Sequence, residues 1–291
     1  MLDDIIKGIT DLLFKMFRDS TESFLTMTAE LFQKSVDTVQ TNVSETPTEF
    51  SQTIVENLRV ISDTAILPVA GLILTYVFCY ELYQLVVEKN RGGDFETGQL
   101  LFLIIKTSGM ILLLSNAFDI TLAVFDLGKW ITDKVPASTL QIPASIAKNL
   151  VDSMEEGAVG TAISMWIVTA IVLIVTFLMS GIIYLVAWSR MVTILLYISV
   201  APIPFATFLN REWIGNIGQT YVKHLLALML QGYFMLVCLI VYAGLLEKAS
   251  GLIATEGTGL FGLVLMVISM GILVLSLTKT HTLAKSVVGV M

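Results

Sequence analysis

Few side chains in this sequence are able to do chemistry. His224 and His281 are its two histidines, and Cys79 and Cys238 its two cysteines. Both thiols fall inside apolar stretches, where cysteine behaves as a small hydrophobe; neither a disulfide framework nor a metal site is indicated. Each histidine stands at the expected end of an apolar segment, beside a lysine or a polar stretch, which suits interfacial anchoring. The chain has no His-Glu-x-x-His, so zinc proteolysis lacks its helical ligand pair. Ser180-Gly181 lacks the preceding glycine of a serine-nucleophile loop. The run GTGLFG, Gly257 to Gly262, spells G-x-G-x-x-G, but it follows the polar end of an apolar segment rather than a strand. No catalytic, cofactor-binding or metal-ligating residue is assigned, and no cofactor is expected.

The informative residues are charges and prolines set in apolar surroundings. Glu81 and Lys106 lie at nearly the same depth on two segments joined by the polar turn EKNRGGDFETG. Isolated intramembrane charges pair with one another or face a wet cavity, so they form a candidate charge pair; independent snorkelling is the alternative. Trp188 and Arg190 resemble interface anchors, since both residue types favour the headgroup level. In SVAPIPFATFLNREW, Pro202 and Pro204 break regular helix near the end of a long apolar run. The polar and aromatic group Asn210, Arg211, Glu212 and Trp213 follows. Such a break is tolerated where the freed carbonyls meet another helix, water or a cavity. It reads either as an anchored helix end or as a broken helix in a pore or subunit contact.

The elements that must position these residues are set by composition. The chain is 55% hydrophobic and 14% charged, with a mean hydropathy of +0.82, against about 25% charged residues in soluble domains. Uncharged stretches run over 64–80, 157–189, 191–210, 225–246 and 257–278, and 99–118 is interrupted only by Lys106. About 20 such residues cross a bilayer. The expectation is an all-α, polytopic transmembrane helical protein with five or six spans and an N-terminal amphipathic helix. The count depends on whether the chain reverses at Trp188–Arg190 or continues as one helix.

Four blocks follow. Residues 1–59 hold the amphipathic helix (Leu2, Ile5, Ile6, Ile9, Leu12, Leu13, Met16 and Phe17 at helical spacing) and a polar connector over 35–53. Residues 60–127 form a helical hairpin, with Pro68 in the first turns of the segment starting at Ile66. Residues 128–157 form an extramembrane loop, and 158–291 a bundle containing the broken helix. Residues 1–59 carry ten acids against five bases within a net charge of −7. A basic phosphate-binding patch is therefore not indicated.

The run SVAPIPFATFLNREWIGNIGQTYVKHLLALMLQGYFMLVCLIVYAGLL, with ILPVAGLILTYVFCYELYQLVVEKN and NAFDITLAVFDLGKW, resembles the TrbL-type, VirB-six-like conjugal transfer proteins of Gram-positive mobile elements. The likeness covers about residues 45 to 246. It implies a non-enzymatic channel or scaffold subunit of a type IV secretion system in the plasma membrane. The implied partners are membrane ATPases, a coupling protein and further copies of the chain, with DNA or a relaxase–DNA conjugate met at most transiently. A secondary transporter is the alternative, because broken helices also mark substrate sites; no internal repeat supports it. The resemblance further implies an extracytoplasmic N-terminus, whereas the distribution of lysine and arginine over six spans prefers both termini inside.

Overall fold

The computed structural model describes residues 2–89, 97–135, 159–210, 215–256 and 259–290, and no strand occurs among them. The first helix, α1 (Leu2–Ser44), is much longer than its amphipathic start requires. Its buried positions Phe14, Thr21, Leu25, Thr28, Phe32, Ser35, Val39 and Asn42 recur at intervals of seven and then alternately four and three residues, a seam suited to helix packing. The stretch expected as a polar connector is therefore helical up to Ser44. Its hydroxyls reach burial by bonding their own helix: Thr21 Oγ1 donates to the Phe17 carbonyl and Thr28 Oγ1 to that of Phe24, each at 2.7 Å.

Two caps then redirect the chain. At α2 (Pro47–Phe50), the Thr46 N–H donates to Glu49 Oε2 at 2.9 Å and the Glu49 N–H to Thr46 Oγ1 at 3.3 Å, a reciprocal capping box. Ser51 caps α3 (Gln52–Ile61) by accepting from the Ile54 N–H. No interruption separates α3 from α4 (Leu67–Lys89); a π-helical turn over Ser62–Ile66 joins them. Pro68 thus stands inside a continuous helix, of which Gln52–Val87 is long and apolar enough in part to cross a membrane, rather than in the first turns of a new one. It has no N–H for the Thr64 carbonyl, and the preceding turn widens so that the Leu67 N–H reaches the Ser62 carbonyl.

The remaining elements are α5 (Thr97–Ser115), α6 (Ala117–Thr132), α7 (Val159–Ser199), α8 (Pro202–Ala206), a 3₁₀ turn (Thr207–Leu209), α9 (Gly215–Glu256) and α10 (Gly259–Val288). Helix α7 runs through Trp188–Arg190 without a break. This removes the turn on which a sixth span depended, and five helices among the described residues are long and apolar enough to cross a membrane. Of the segment expected as an extramembrane loop, 128–157, residues 128–132 are helical as the end of α6, and 136–157 lie outside the described residues.

The chain divides into two compact units, each gathering three separated stretches. One takes Met1–Asn42, Val135–Trp188 and Phe234–Thr280; the other takes Val43–Lys134, Ser189–Tyr233 and His281–Met291. In the first, α1 lies parallel to α7. Phe17 and Phe24 meet Trp166, with ring centroids 5.7 and 6.0 Å apart, and Ser35 Oγ lies 3.4 Å from Ser180 Oγ further along. Phe32 packs on Tyr242 of α9, and Thr176 of α7 reaches Met270 of α10. In the second unit, Ala70, Leu74, Leu114, Met191, Ile194, Ile198, Phe205 and Leu225 belong to one buried apolar cluster.

Candidate functional site

The helix break lies inside the second unit, with α8 and the 3₁₀ turn packed on α4, α5 and α6. Pro202 and Pro204 are both buried. Each proline leaves the carbonyl four residues before it without a donor, and the chain recovers both bonds by tightening. The Ile198 carbonyl accepts from the Ala201 N–H at 3.2 Å, and the Val200 carbonyl accepts from the Ile203 N–H at 3.2 Å. Because Ala201 bonds Ile198, the Tyr197 carbonyl loses its regular partner. The Tyr221 hydroxyl of α9 supplies a replacement at 2.7 Å.

Aromatic packing holds that donor in place. Tyr221 stacks on Tyr197 with centroids 5.8 Å apart and meets Phe205 edge-on at 5.9 Å. At the far end of the break, the Leu209 carbonyl accepts a hydrogen bond from Lys106 Nζ of α5. Thr207 Oγ1 joins the break to the next helix: it donates to the Pro204 carbonyl at 2.7 Å and accepts from the Gly218 N–H at 3.0 Å. Gly218 is in the first turn of α9, where N–H groups have no intrahelical partner. A Cβ at Gly218 would lie 2.8 Å from the Pro204 carbonyl oxygen, so only glycine allows this approach without a shift.

Other residues singled out in the sequence fall as follows. Glu81 and Lys106 line one pocket of about 340 Å³ with Gln99 and Phe102. No ion pair joins them: Lys106 bonds the Leu209 carbonyl instead. Trp188 is 59% exposed and Arg190 only 7%, so these two anchors do not share one surface. Arg190 packs against α9 at Gly232, where a Cβ would stand 2.7 Å from its Nη2. Asn210 is 1% exposed, at the buried end of the break rather than on a surface; Arg211, Glu212 and Trp213 lie outside the described residues. His281 Nδ1 is 3.2 Å from Gln231 Oε1.

Tyr221, Thr207 and Gly218 were not read as site residues from the sequence. A signal for them existed in part, since two prolines require donors for the displaced carbonyls. Two ion pairs hold α2 and α3 to α6: Glu49 with Lys129, and Arg59 with Asp119. The Lys129 hydrogen bond, followed by the Thr46 N–H, holds the Glu49 carboxyl below its ordinary range. The same bond raises the Lys129 ammonium.

Among the described residues no group of His, Cys, Asp and Glu is arranged to hold a metal ion. The arrangement at the break does one thing chemically: it satisfies, within apolar packing, the carbonyls that two prolines expose. Residues 32–202 match the family described as TrbL/VirB6 plasmid conjugal transfer like protein. The comparisons with curated proteins and with solved structures found no match. The matched segment ends at Pro202 and covers more than half of the chain, and the chain therefore belongs to the TrbL/VirB6-like family of plasmid conjugal transfer proteins.

Proposed function

We propose that this membrane component of the conjugal transfer machinery is a non-enzymatic channel or scaffold subunit, present in several copies in a bacterial plasma membrane. It works beside membrane ATPases and a coupling protein, and DNA or a relaxase–DNA conjugate meets it at most transiently. The observation that supports this reading is the clamped break at Pro202–Leu209. A transporter's broken helix turns its freed carbonyls toward a substrate or ion, whereas here Tyr221 and Lys106 reach from two other helices and occupy the carbonyls of Tyr197 and Leu209. That construction suits a fixed joint. Arg211, Glu212 and Trp213 then make the contact with a neighbouring subunit, with Asn210 as its buried root. The N-terminus is extracytoplasmic, in keeping with its excess of acids, and five spans put the C-terminus on the opposite side.

Conversion of Pro202 and Pro204 together to Ala tests the joint. Apolar length is unchanged, so membrane insertion stays intact, while assembly and DNA transfer fall. Wild-type transfer frequency at normal protein level would show that the break is only a tolerated helix end. Reversing charge at Arg211 gives the same loss if the contact is as proposed, and labelling of a cysteine placed at Ser44 from outside intact cells checks the orientation.

A further inference from the structure

We propose that the groove between α4 and α5 binds the headgroup of a phospholipid carrying a primary amine, of the phosphatidylethanolamine class. The proposal uses only the reading of these two helices as membrane spans and goes beyond the assembly role. Its starting point is a pair of charges left incomplete beside one another. Glu81 of α4 and Lys106 of α5 line one pocket of about 340 Å³, yet no ion pair joins them. The Lys106 ammonium has three N–H donors. The Leu209 carbonyl takes one, and among the described residues nothing accepts from the others. No donor among those residues meets the Glu81 carboxylate. Charges within a span pair or face a polar environment, so the groove between these two holds a partner for each.

The level of the groove says what surrounds it. The uncharged stretch 64–80 of α4 ends at Glu81, and the apolar stretch of α5 begins at Gly98. Glu81 and Gly98 both line the groove, which therefore straddles the boundary between hydrocarbon and headgroups. Tyr76, Tyr80 and Tyr83 gather in the same part of α4. Tyr76 and Tyr83 are 57% and 64% exposed, and Gln84 Nε2 donates to Tyr80 Oη at 3.0 Å. Tyrosines collect at that boundary because one end of the ring is apolar and the other wet. The groove is mixed in the same way. Leu85, Phe102 and Leu103 line it beside Glu81, Gln99 and Lys106, and Phe102 is 67% exposed. An amphiphile satisfies both parts, with its head between the charges and its chains along Phe102.

Charge selects the head. Glu81 and Lys106 together carry no net charge, and a zwitterion keeps that balance, whereas a lone cation or a purely anionic head leaves an uncompensated charge beside hydrocarbon. A phosphodiester oxygen accepts from the remaining Lys106 donors, a charge-assisted bond, and a primary ammonium donates to the Glu81 carboxylate. A choline head carries methyl groups in place of those donors. A glycerol head brings no cation, and its phosphate is repelled by Glu81.

Native mass spectrometry of the full chain in detergent, given equal amounts of dioleoyl phosphatidylethanolamine, phosphatidylcholine and phosphatidylglycerol, tests the proposal. Phosphatidylethanolamine is expected to be retained several-fold more than either of the others. Glu81→Gln removes that preference, and Glu81→Asp, which keeps the charge, retains it. No preference in the unaltered chain, or a preference lost in both variants or kept in both, would overturn the assignment. So would displacement of the lipid by an equal concentration of soluble phosphoethanolamine, which would give the groove to a free zwitterion. The readout is lipid held by the isolated chain, so it is independent of assembly and of DNA transfer.

Discussion

The two units solve one problem in opposite ways. Both bury polar groups among apolar helices, where an unsatisfied group is costly. In the unit containing α1, the buried polar side chains are mostly hydroxyls; Thr21, Thr28 and Thr169 each bond a carbonyl of their own helix. In the unit containing the break, the exposed polar atoms are backbone carbonyls, and the donors come from far along the chain: Tyr221 to Tyr197, Lys106 to Leu209. A polar side chain on an intact helix satisfies itself locally, whereas the interrupted backbone recovers the Ile198 and Val200 carbonyls by tightening and draws on other helices for those of Tyr197 and Leu209. The first arrangement is insensitive to its neighbours, and the second ties several elements into one joint.

The comparison breaks most visibly at Gly218. A Val there places side-chain atoms against the Pro204 carbonyl, a backbone atom that cannot step aside. The expected destabilisation is on the order of 2–3 kcal/mol, read as a lowered midpoint of thermal unfolding in lipid nanodiscs. An unchanged midpoint would mean that the break and α9 do not approach as described. A smaller effect sharpens the contrast between units. Tyr221→Phe removes the donor to the Tyr197 carbonyl and should cost about 1–3 kcal/mol, while Thr28→Val in the other unit should cost less than about 0.5 kcal/mol, because the Phe24 carbonyl keeps its helical partner. Equal losses would contradict the distinction between local and long-range satisfaction.

The smallest expected effect concerns pH. The Glu49 carboxyl titrates below its ordinary value of 4.5 in the folded chain. Its contribution is therefore complete above that value and is lost as pH falls through the folded one. Lys129 is raised above 10.5, so its contribution is complete below 10.5 and is lost as pH rises through the raised value. The pair supports α2 against α6 between those limits. Glu49→Gln should flatten the acid limb of a stability profile slightly, since both groups are largely exposed and solvent screens them. A steep acid limb surviving in that variant would assign it to other carboxylates.

Much of the fold was legible in the sequence because a bilayer imposes a one-dimensional rule. Uncharged runs of sufficient length must be spans, since only helices satisfy their backbone in hydrocarbon. The absence of Gly, Pro or Asn at Trp188–Arg190 was a real sign of continuity. The opposite fates of those two residues were also available: positions two apart face about 200° away from each other on a helix, so one surface could not hold both. The break at Pro202 and Pro204 was visible for the same reason, as proline acts on its own turn wherever it stands.

What the sequence by itself determined were the consequences of each residue for its own turn and its own stretch of chain: the apolar spans, the proline break and the amphipathic start of α1. Tertiary structure alone decided the rest. Residues 35–44 are as polar as a loop, and they are helical because neighbours bury Ser35, Val39 and Asn42. Pro68 sits mid-helix because the preceding turn widens to absorb it. Lys106 bonds a carbonyl 103 residues away rather than Glu81 on the adjacent helix. A displaced carbonyl accepts whichever donor the packing of helices brings within about 3 Å, and separation along the chain carries no record of which donor that is.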